Sequence, residues 1–112
     1  MRSERERLVD IAQTIALAQQ FLADRTREQF ATDIQRQFAV TRCLEIISEA
    51  SRHLGPAFKH RHPDIRWKEI AGAGNIYRHD YERVSADIIW KTVKDALPPL
   101  LAVVQSALGD PG

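Results

Sequence analysis

The chain has 112 residues, of which 44% are hydrophobic and 28% are charged, and its formal net charge is +1. This composition is typical of one soluble globular domain over residues 1–112, and the near-neutral charge argues against a protein that coats DNA, whose domain is normally clearly basic. The chain has no apolar run of about 18 residues and its N-terminus has no apolar signal segment, so we expect neither a membrane span nor secretion, and a cytoplasmic protein.

The first predicted element is an amphipathic helix over residues 3–24. Its apolar residues recur at steps of three and four, which places them on one helix face. They are Leu8, Ile11, Ile15, Ala18 and Leu22. Ser3 and Glu6 have the spacing of a capping box. Asp24, Arg25 and Thr26 then break the pattern, and Thr26 is placed to cap a second helix.

The second predicted helix is the longest and spans residues 27–54. Most of its apolar stripe consists of Phe30, Ile34, Phe38, Leu44, Ile47, Ala50 and Leu54. The Gly55-Pro56 pair is expected to end it. Cys43 lies within the pattern and is interpreted as a core thiol, because a buried free cysteine usually behaves as a small hydrophobe. We interpret Glu49 as a solvated carboxylate, with a position facing a cleft as the alternative.

Residues 55–66 are predicted to be a polar connection that carries a short basic run. Lys59, Arg61 and Arg66 belong either to a solvated loop or to a rim that follows RNA phosphates, which would make binding salt-dependent. The histidines in and beside this segment are His53, His60 and His62. They have no cysteine and only Asp64 at ligand spacing, so no metal site is predicted.

A third and weaker helix is predicted over residues 66–79. Gly72 and Gly74 each cost such a helix about 1 kcal/mol relative to alanine, so a pair of them calls for a reason such as close backbone packing.

The last helix is predicted to be capped by Ser85. Its apolar stripe is Trp90, Val93, Leu97, Leu100, Val104 and Leu108. Pro98-Pro99 removes two donors and is expected to kink or split it. Trp67 and Trp90 are interpreted as core or interface anchors. The whole pattern predicts an all-α fold, a four- to five-helix antiparallel bundle with its last helix kinked at Pro98-Pro99.

The segment GNIYRHDY, residues 74–81, concentrates polar chemistry in this helical chain. If residues 66–79 are helical, Gly74 and Arg78 share a face, as do Asn75 and His79, and Tyr81 follows closely. A neutral histidine can take a proton from a ribose 2′-OH, and an arginine can stabilise a phosphate. That set suits metal-free RNA cleavage. On these residues alone, a histidine at a helix end and an arginine paired with Asp80 or Glu82 explain the segment equally well.

The stretch over residues 67–104 resembles the C-terminal half of the HepT-like HEPN family. That pattern has a Trp, Ile-Ala-Gly, Arg-Asn-x-x-x-His-x-Tyr, Val-Asp, and a helix with Trp and Leu-Pro. FAVTRCLEIISEASRHL, residues 38–54, resembles the second helix of the family. The resemblance implies a homodimer whose paired motifs face a shared cleft. It also implies a ribonuclease toxin that cuts RNA without a metal or other cofactor. Such a toxin is neutralised by a minimal nucleotidyltransferase antitoxin that transfers AMP to the motif tyrosine.

On this sequence the resemblance assigns the motif asparagine to Asn75, the histidine to His79 and the tyrosine to Tyr81. The motif arginine is replaced by Gly74, and the motif aspartate by Ser85. We hypothesise that Arg78, one turn further along, supplies the missing cation.

The second hypothesis is a weakened or inactive subunit that binds a nucleotidyltransferase or a nucleotide, and the glycine at position 74 favours it. A third is a helical dimer module with no nucleotide role.

Overall fold

The computed structural model of the chain describes residues 2–75 and 83–109, with only the backbone of residues 75 and 83–85, and every regular element in this part is helical. The α-helices are α1 (Glu4–Leu22), α2 (Arg27–Ala31), α3 (Ile34–Arg52), α4 (Pro56–Arg61), α5 (Trp67–Gly72), α6 (Arg83–Lys91) and α7 (Leu97–Ala107). A 3₁₀ segment, Ala73–Asn75, follows α5, and a π-helical segment, Thr92–Ala96, joins α6 to α7. The all-α prediction is confirmed. Within the described residues, no helix combines the length and apolarity needed to cross a bilayer.

Helices α1 and α3 pack against each other in antiparallel directions. Arg36, at the start of α3, donates to the Phe21 carbonyl near the end of α1 at 2.9 Å. At the other end, the Gly55 N–H donates to the Glu4 carboxylate at 2.9 Å. Helix α7 also runs antiparallel to α1, since Arg5 reaches the Leu108 carbonyl. The antiparallel bundle predicted from the short loops is therefore confirmed.

The core lies between α1, α3 and the α6–α7 stretch. Its fully buried side chains include Ile11, Ile15, Val40, Ile47, Ile89 and Leu100. The predicted stripe of α1 is buried throughout, and Cys43 lies in the core as expected, 3% exposed. Burial raises the pKa of the Cys43 thiol, so the neutral form is favoured there.

Both predicted helix starts in the N-terminal half carry complete capping boxes. The Glu6 N–H donates to the Ser3 hydroxyl at 3.1 Å, and the Ser3 N–H donates to the Glu6 carboxylate at 2.8 Å. Thr26 and Gln29 form the same pair of bonds at the start of α2. These caps satisfy backbone donors that a helix start otherwise leaves open.

The prediction of one continuous helix over residues 27–54 is wrong. The chain breaks at Thr32 and Asp33, where the Asp33 carboxylate accepts from the Arg36 N–H and starts α3 anew. Gln37 turns inward to donate to the carbonyls of Phe30 and Ala31, the last residues of α2. This places Gln37 in the core, 7% exposed.

The break takes two residues out of the predicted apolar stripe, whereas Leu44, Ile47, Ala50 and Leu54 are buried as predicted. Ile34 and Phe38 are 59% and 56% exposed, instead of lying in the core as predicted. The buried face of α3 passes through Gln37, Val40 and Leu44. Because α3 starts anew at Asp33, the spacing of four from Phe30 does not place Ile34 and Phe38 on the buried face.

Residues 55–66 are not simply a polar connection, because they contain α4 with Phe58 buried on it. Helix α3 ends at Arg52, ahead of the predicted stop. Gly55 is the N-cap of α4 and Pro56 its first residue, so the pair starts a helix instead of ending one. Proline is well suited to the first turn, where its missing N–H costs no bond.

The third predicted helix is shorter than residues 66–79. Helix α5 ends at Gly72 and tightens into the 3₁₀ segment, and the rest of the predicted range lies outside the described residues. The proposed cap at Ser85 is wrong, since α6 already begins at Arg83 and Ser85 lies within it. Asp87 on this helix pairs with Arg27 of α2 at 3.1 Å.

The predicted interruption at Pro98-Pro99 takes the form of the π-helical segment. The Leu97 N–H bonds to the Thr92 carbonyl, five residues back. The two prolines then occupy the first turn of α7. The wider π turn lets the helical stretch continue past the two prolines, which have no backbone N–H to donate. The departure from α-helical geometry therefore lies one turn ahead of the prolines.

Candidate functional site

The start of the GNIYRHDY segment is fixed against the middle of α3. The Ser48 hydroxyl donates to the Ile70 carbonyl at 2.9 Å and accepts from the Gly74 N–H at 2.8 Å. Gly74 is buried, and a Cβ built on it would lie 2.9 Å from the Glu45 Cα. Real Cβ atoms do not approach backbone this closely, so any side chain at position 74 would force the two elements apart. The close packing expected of the glycines is confirmed at Gly74, whereas Gly72 has nothing within 4 Å.

A groove opens beside Gly74, between the N-terminal part of α1 and the outer face of α3. Its volume is about 520 Å³. The charged residues that line it are Arg2, Arg7, Asp10, Arg42, Glu45, Glu49 and Arg52. Among the described lining residues, four arginines against three carboxylates leave one positive charge. The groove is therefore an arginine-rich surface next to the proposed catalytic segment.

Three of the four groove arginines are paired with carboxylates. Arg2 pairs with Asp10, and Arg42 contacts Glu45 at 3.3 Å.

Arg52 contacts Glu49 at 2.9 Å and also donates to the Ala71 carbonyl at 2.7 Å, which ties α3 to α5.

Arg7 is different. It is half-buried, its Nε is buried without a hydrogen-bond partner, and no carboxylate among the described residues lies within ion-pair distance of it.

Glu49 is exposed, which confirms its interpretation as a solvated carboxylate, and it lines this groove. Its carboxylate contacts His53 at 2.8 Å as well as Arg52. The hydrogen bond with His53 and then that with Arg52 lower its pKa from the usual value of 4.5. Glu49 is thus ionised at neutral pH and neutralises part of the positive charge of the groove.

The predicted catalytic residues Arg78, His79 and Tyr81 lie outside the described residues, and for Asn75 only the backbone is described. Their convergence at one helix end therefore stays a prediction. The backbone of Asn75 closes the 3₁₀ segment that begins at Ala73.

The predicted phosphate rim lies on α4 and at the start of α5. Lys59 lies over the Trp67 ring at 5.9 Å and Arg61 over the Phe58 ring at 5.6 Å. Arg66 pairs with Glu69 at 3.5 Å and lines a different cavity, of about 620 Å³. The role of these residues in RNA binding stays a prediction.

Both tryptophans are held by the fold. The Trp67 indole N–H donates to the His62 carbonyl at 3.0 Å, and its ring packs edge-on against Phe58. Trp90 packs against Phe30, with the Lys94 ammonium 5.0 Å from its ring centre. Their interpretation as core anchors is confirmed for these contacts.

The histidines outside the segment have separate surroundings. His53 contacts Glu49, while His62 packs on the Phe58 ring at 4.8 Å. In residues 2–75 and 83–109, no three His, Cys, Asp or Glu side chains come together in a group that can hold a metal ion.

Comparison with known proteins shows which family the chain belongs to. The Ribonuclease HepT-like family matches residues 11–107 of the chain. The chain belongs to this family.

A curated relative from Thermococcus cleftensis, "Probable ribonuclease HepT", is 42% identical over 99 residues, covering 88% of this chain and 90% of the relative. A relative from Methanocaldococcus jannaschii, named "Putative RNase", is 34% identical over 98 residues, with the same coverage of both chains. No solved structure matches the chain significantly.

The groove arginines of this HepT-like chain were missed by sequence reasoning, although a signal exists. Arg42, Glu45, Glu49 and Arg52 recur at steps of three, four and three, which is one face of a helix. Of this face, Glu49 alone was singled out from the sequence. Arg7 carries no comparable signal, since it is one of several charged residues before Leu8.

Proposed function

We propose that this chain is a metal-independent endoribonuclease of the toxin–antitoxin type. The observation that carries the proposal is the family match, which spans nearly the whole chain and contains the complete GNIYRHDY segment. Relatives named as ribonucleases align over about nine-tenths of their own length, so the likeness extends over the whole domain. The proposed substrate is RNA, because the chemistry below needs the 2′-OH.

His79 is the proposed general base and acid. It takes the proton from the ribose 2′-OH, and the 2′-oxygen forms a bond to the neighbouring phosphorus. The bond from phosphorus to the 5′-oxygen breaks, and that oxygen receives a proton. The products are a 2′,3′-cyclic phosphate and a 5′-OH. Arg78 stabilises the charge on the phosphate, while Asn75 and Tyr81 position it.

The proposed assembly is a homodimer whose two segments face one cleft, as the family resemblance implies. The proposed antitoxin is a minimal nucleotidyltransferase that transfers AMP from a nucleoside triphosphate to the Tyr81 oxygen, with loss of pyrophosphate. An AMP group on Tyr81 would add a negative charge and bulk next to His79. Both effects oppose the approach of an RNA phosphate.

A second function is a weakened or inactive subunit that binds the nucleotidyltransferase or a nucleotide. The packing of Gly74 favours it, because the buried backbone there has no room for the motif arginine. Loss of a cation that stabilises the transition state costs on the order of a hundredfold or more in rate. This second function holds if Arg78 does not replace that cation.

The test is cleavage of a labelled single-stranded RNA by the purified chain in EDTA, with His79→Ala and Arg78→Ala beside it. We expect the wild type to cut, both variants to lose at least a hundredfold in rate, and a 2′-deoxy linkage to resist cleavage. Products ending in a 2′,3′-cyclic phosphate would support the attack by the 2′-oxygen.

The outcomes separate the proposals. Full cleavage by Arg78→Ala would show that Arg78 is not the substitute cation. An uncut substrate, combined with tight binding of a purified minimal nucleotidyltransferase, would support the second function. Growth arrest on induced expression that disappears with His79→Ala would support the toxin.

A further inference from the structure

Arg7 is the one groove arginine that forms no ion pair at contact distance with a carboxylate of the described residues, although its charge does act on the neighbouring Glu6. The other three each face one acidic partner, as Arg2 faces Asp10. The Arg7 Nε is buried and makes no hydrogen bond. The buried Nε is costly, because it gives up water and gains no bond in return. Such a site favours an anion that arrives from solution.

The groove has the size and lining expected for a strand of phosphates. Its volume of about 520 Å³ accommodates a nucleotide, and Gly74 forms part of its wall. The one positive charge left among the described lining residues matches the single negative charge of a phosphodiester, and the planar guanidinium suits two phosphate oxygens. Among the described lining residues none is aromatic, so the groove offers no stacking surface for a base.

We propose that this groove binds a phosphodiester of the RNA next to the one that is cut, with Arg7 as its main contact. The proposal rests on the proposed function, since it names where the substrate of that site lies. Arg42 is the second contact. Its side chain is 71% exposed and has one contact with Glu45 at 3.3 Å, so it can turn toward a phosphate. Contacts of this kind read the backbone and not the base.

The experiment measures binding of a fluorescent 12-nucleotide RNA to the uncut His79→Ala protein by anisotropy over a series of KCl concentrations. In that background, Arg7→Gln is expected to weaken binding about tenfold. The slope of log K against log salt should fall by about 0.7, which is the loss of one phosphate contact on a single strand. Oligo-U and oligo-A should lose affinity equally.

The controls use the same helix and the same charge. Arg5→Gln removes a neighbouring arginine that is exposed and does not line the groove, and it should leave the slope unchanged. Arg7→Lys keeps the charge and should restore the slope. Arg42→Gln changes a side chain that is 71% exposed, so little effect on folding is expected, and it should weaken binding about threefold. Arg42→Gln therefore keeps the test decisive even if Arg7→Gln fails to fold.

An unchanged slope in both the Arg7 and Arg42 variants would overturn the proposal, as would an absence of RNA binding by the His79→Ala protein. If an oligo-glutamate peptide, and not RNA, binds with dependence on Arg7, the groove is a site for an acidic protein segment and the RNA proposal fails. Cleavage is scored separately. If the chain does not cut RNA but Arg7→Gln weakens its RNA binding, the groove proposal is supported and only the nuclease proposal fails.

Discussion

At the scale of single residues, the two glycines of the α5 region give a matched pair of predictions. Gly74→Ala places a Cβ 2.9 Å from the Glu45 Cα, so we expect a loss of about 1–3 kcal/mol in the free energy of unfolding. Gly72→Ala meets nothing within 4 Å, and we expect no change or a gain of up to about 1 kcal/mol. Urea unfolding followed by circular dichroism measures both, and equal effects would contradict the packing argument.

The sequence indicated that two glycines in one helix call for close backbone packing. It did not show that only Gly74 is closely packed. The difference depends on which residue faces α3, and that follows from the turn of the chain after Gly72 into a 3₁₀ segment. The bond from Gly74 to Ser48 joins positions 26 residues apart, so no local pattern reveals it.

At the scale of elements, the break between α2 and α3 depends on Gln37. Its side-chain amide donates to the Phe30 carbonyl at 2.8 Å and the Ala31 carbonyl at 3.1 Å. Gln37→Ala leaves the Ala31 carbonyl without its side-chain donor, while the Phe30 carbonyl keeps the bond from the Asp33 N–H at 3.1 Å, so we expect a loss of about 1–3 kcal/mol in stability. Gln35→Ala, on the exposed side of the same turn, should change it by less than about 0.5 kcal/mol. An unchanged stability in Gln37→Ala would show that other contacts stabilise the break between α2 and α3.

Helix starts were predictable where the signal is local, and the helix break was not. Ser3 and Thr26 each carry the cap and its partner within four residues. Asp33 has the chemistry of a cap, but a single aspartate inside a helical pattern is not decisive without the bond from Gln37 back to α2. The sequence predicted an interruption at Pro98-Pro99 but not a π-helical segment. It shows where two backbone donors are absent, but not which helical turn widens in response.

For the whole molecule, the stability of the fold should depend on pH at both extremes. The pKa values of Glu49 and Glu6 are lowered, so their contribution is present above about pH 4.5 and is lost as the pH falls through the lower folded values.

The pKa of Cys43 is raised by burial above 9.0, so the contribution of its thiol is present below pH 9.0 and is lost as the pH rises above that value. Urea midpoints from pH 3 to about pH 10.5 measure both arms, and Cys43→Ala should flatten the alkaline arm alone. An unchanged alkaline slope in that variant would contradict the assignment.

The helical bundle could be predicted from apolar spacing and short loops, whereas the candidate site could be predicted from the sequence only in part. The segment at 74–81 could be singled out because its residue types are unusual in a helical chain. The groove beside it brings Arg7 from α1 together with Arg42 and Arg52 from α3. These arginines come close together because two helices pack in antiparallel directions. The spacing of residues within either helix does not reveal how the two helices pack.

The close approach of Gly74 to α3 also restricts the mutational routes open to this chain. The obstructing atom is the Glu45 Cα, which every amino acid possesses, so no single replacement at position 45 makes room. Restoring an arginine at position 74 therefore requires the 3₁₀ segment and α3 to separate, and the free energy of that displacement opposes any anion contact that the arginine would make.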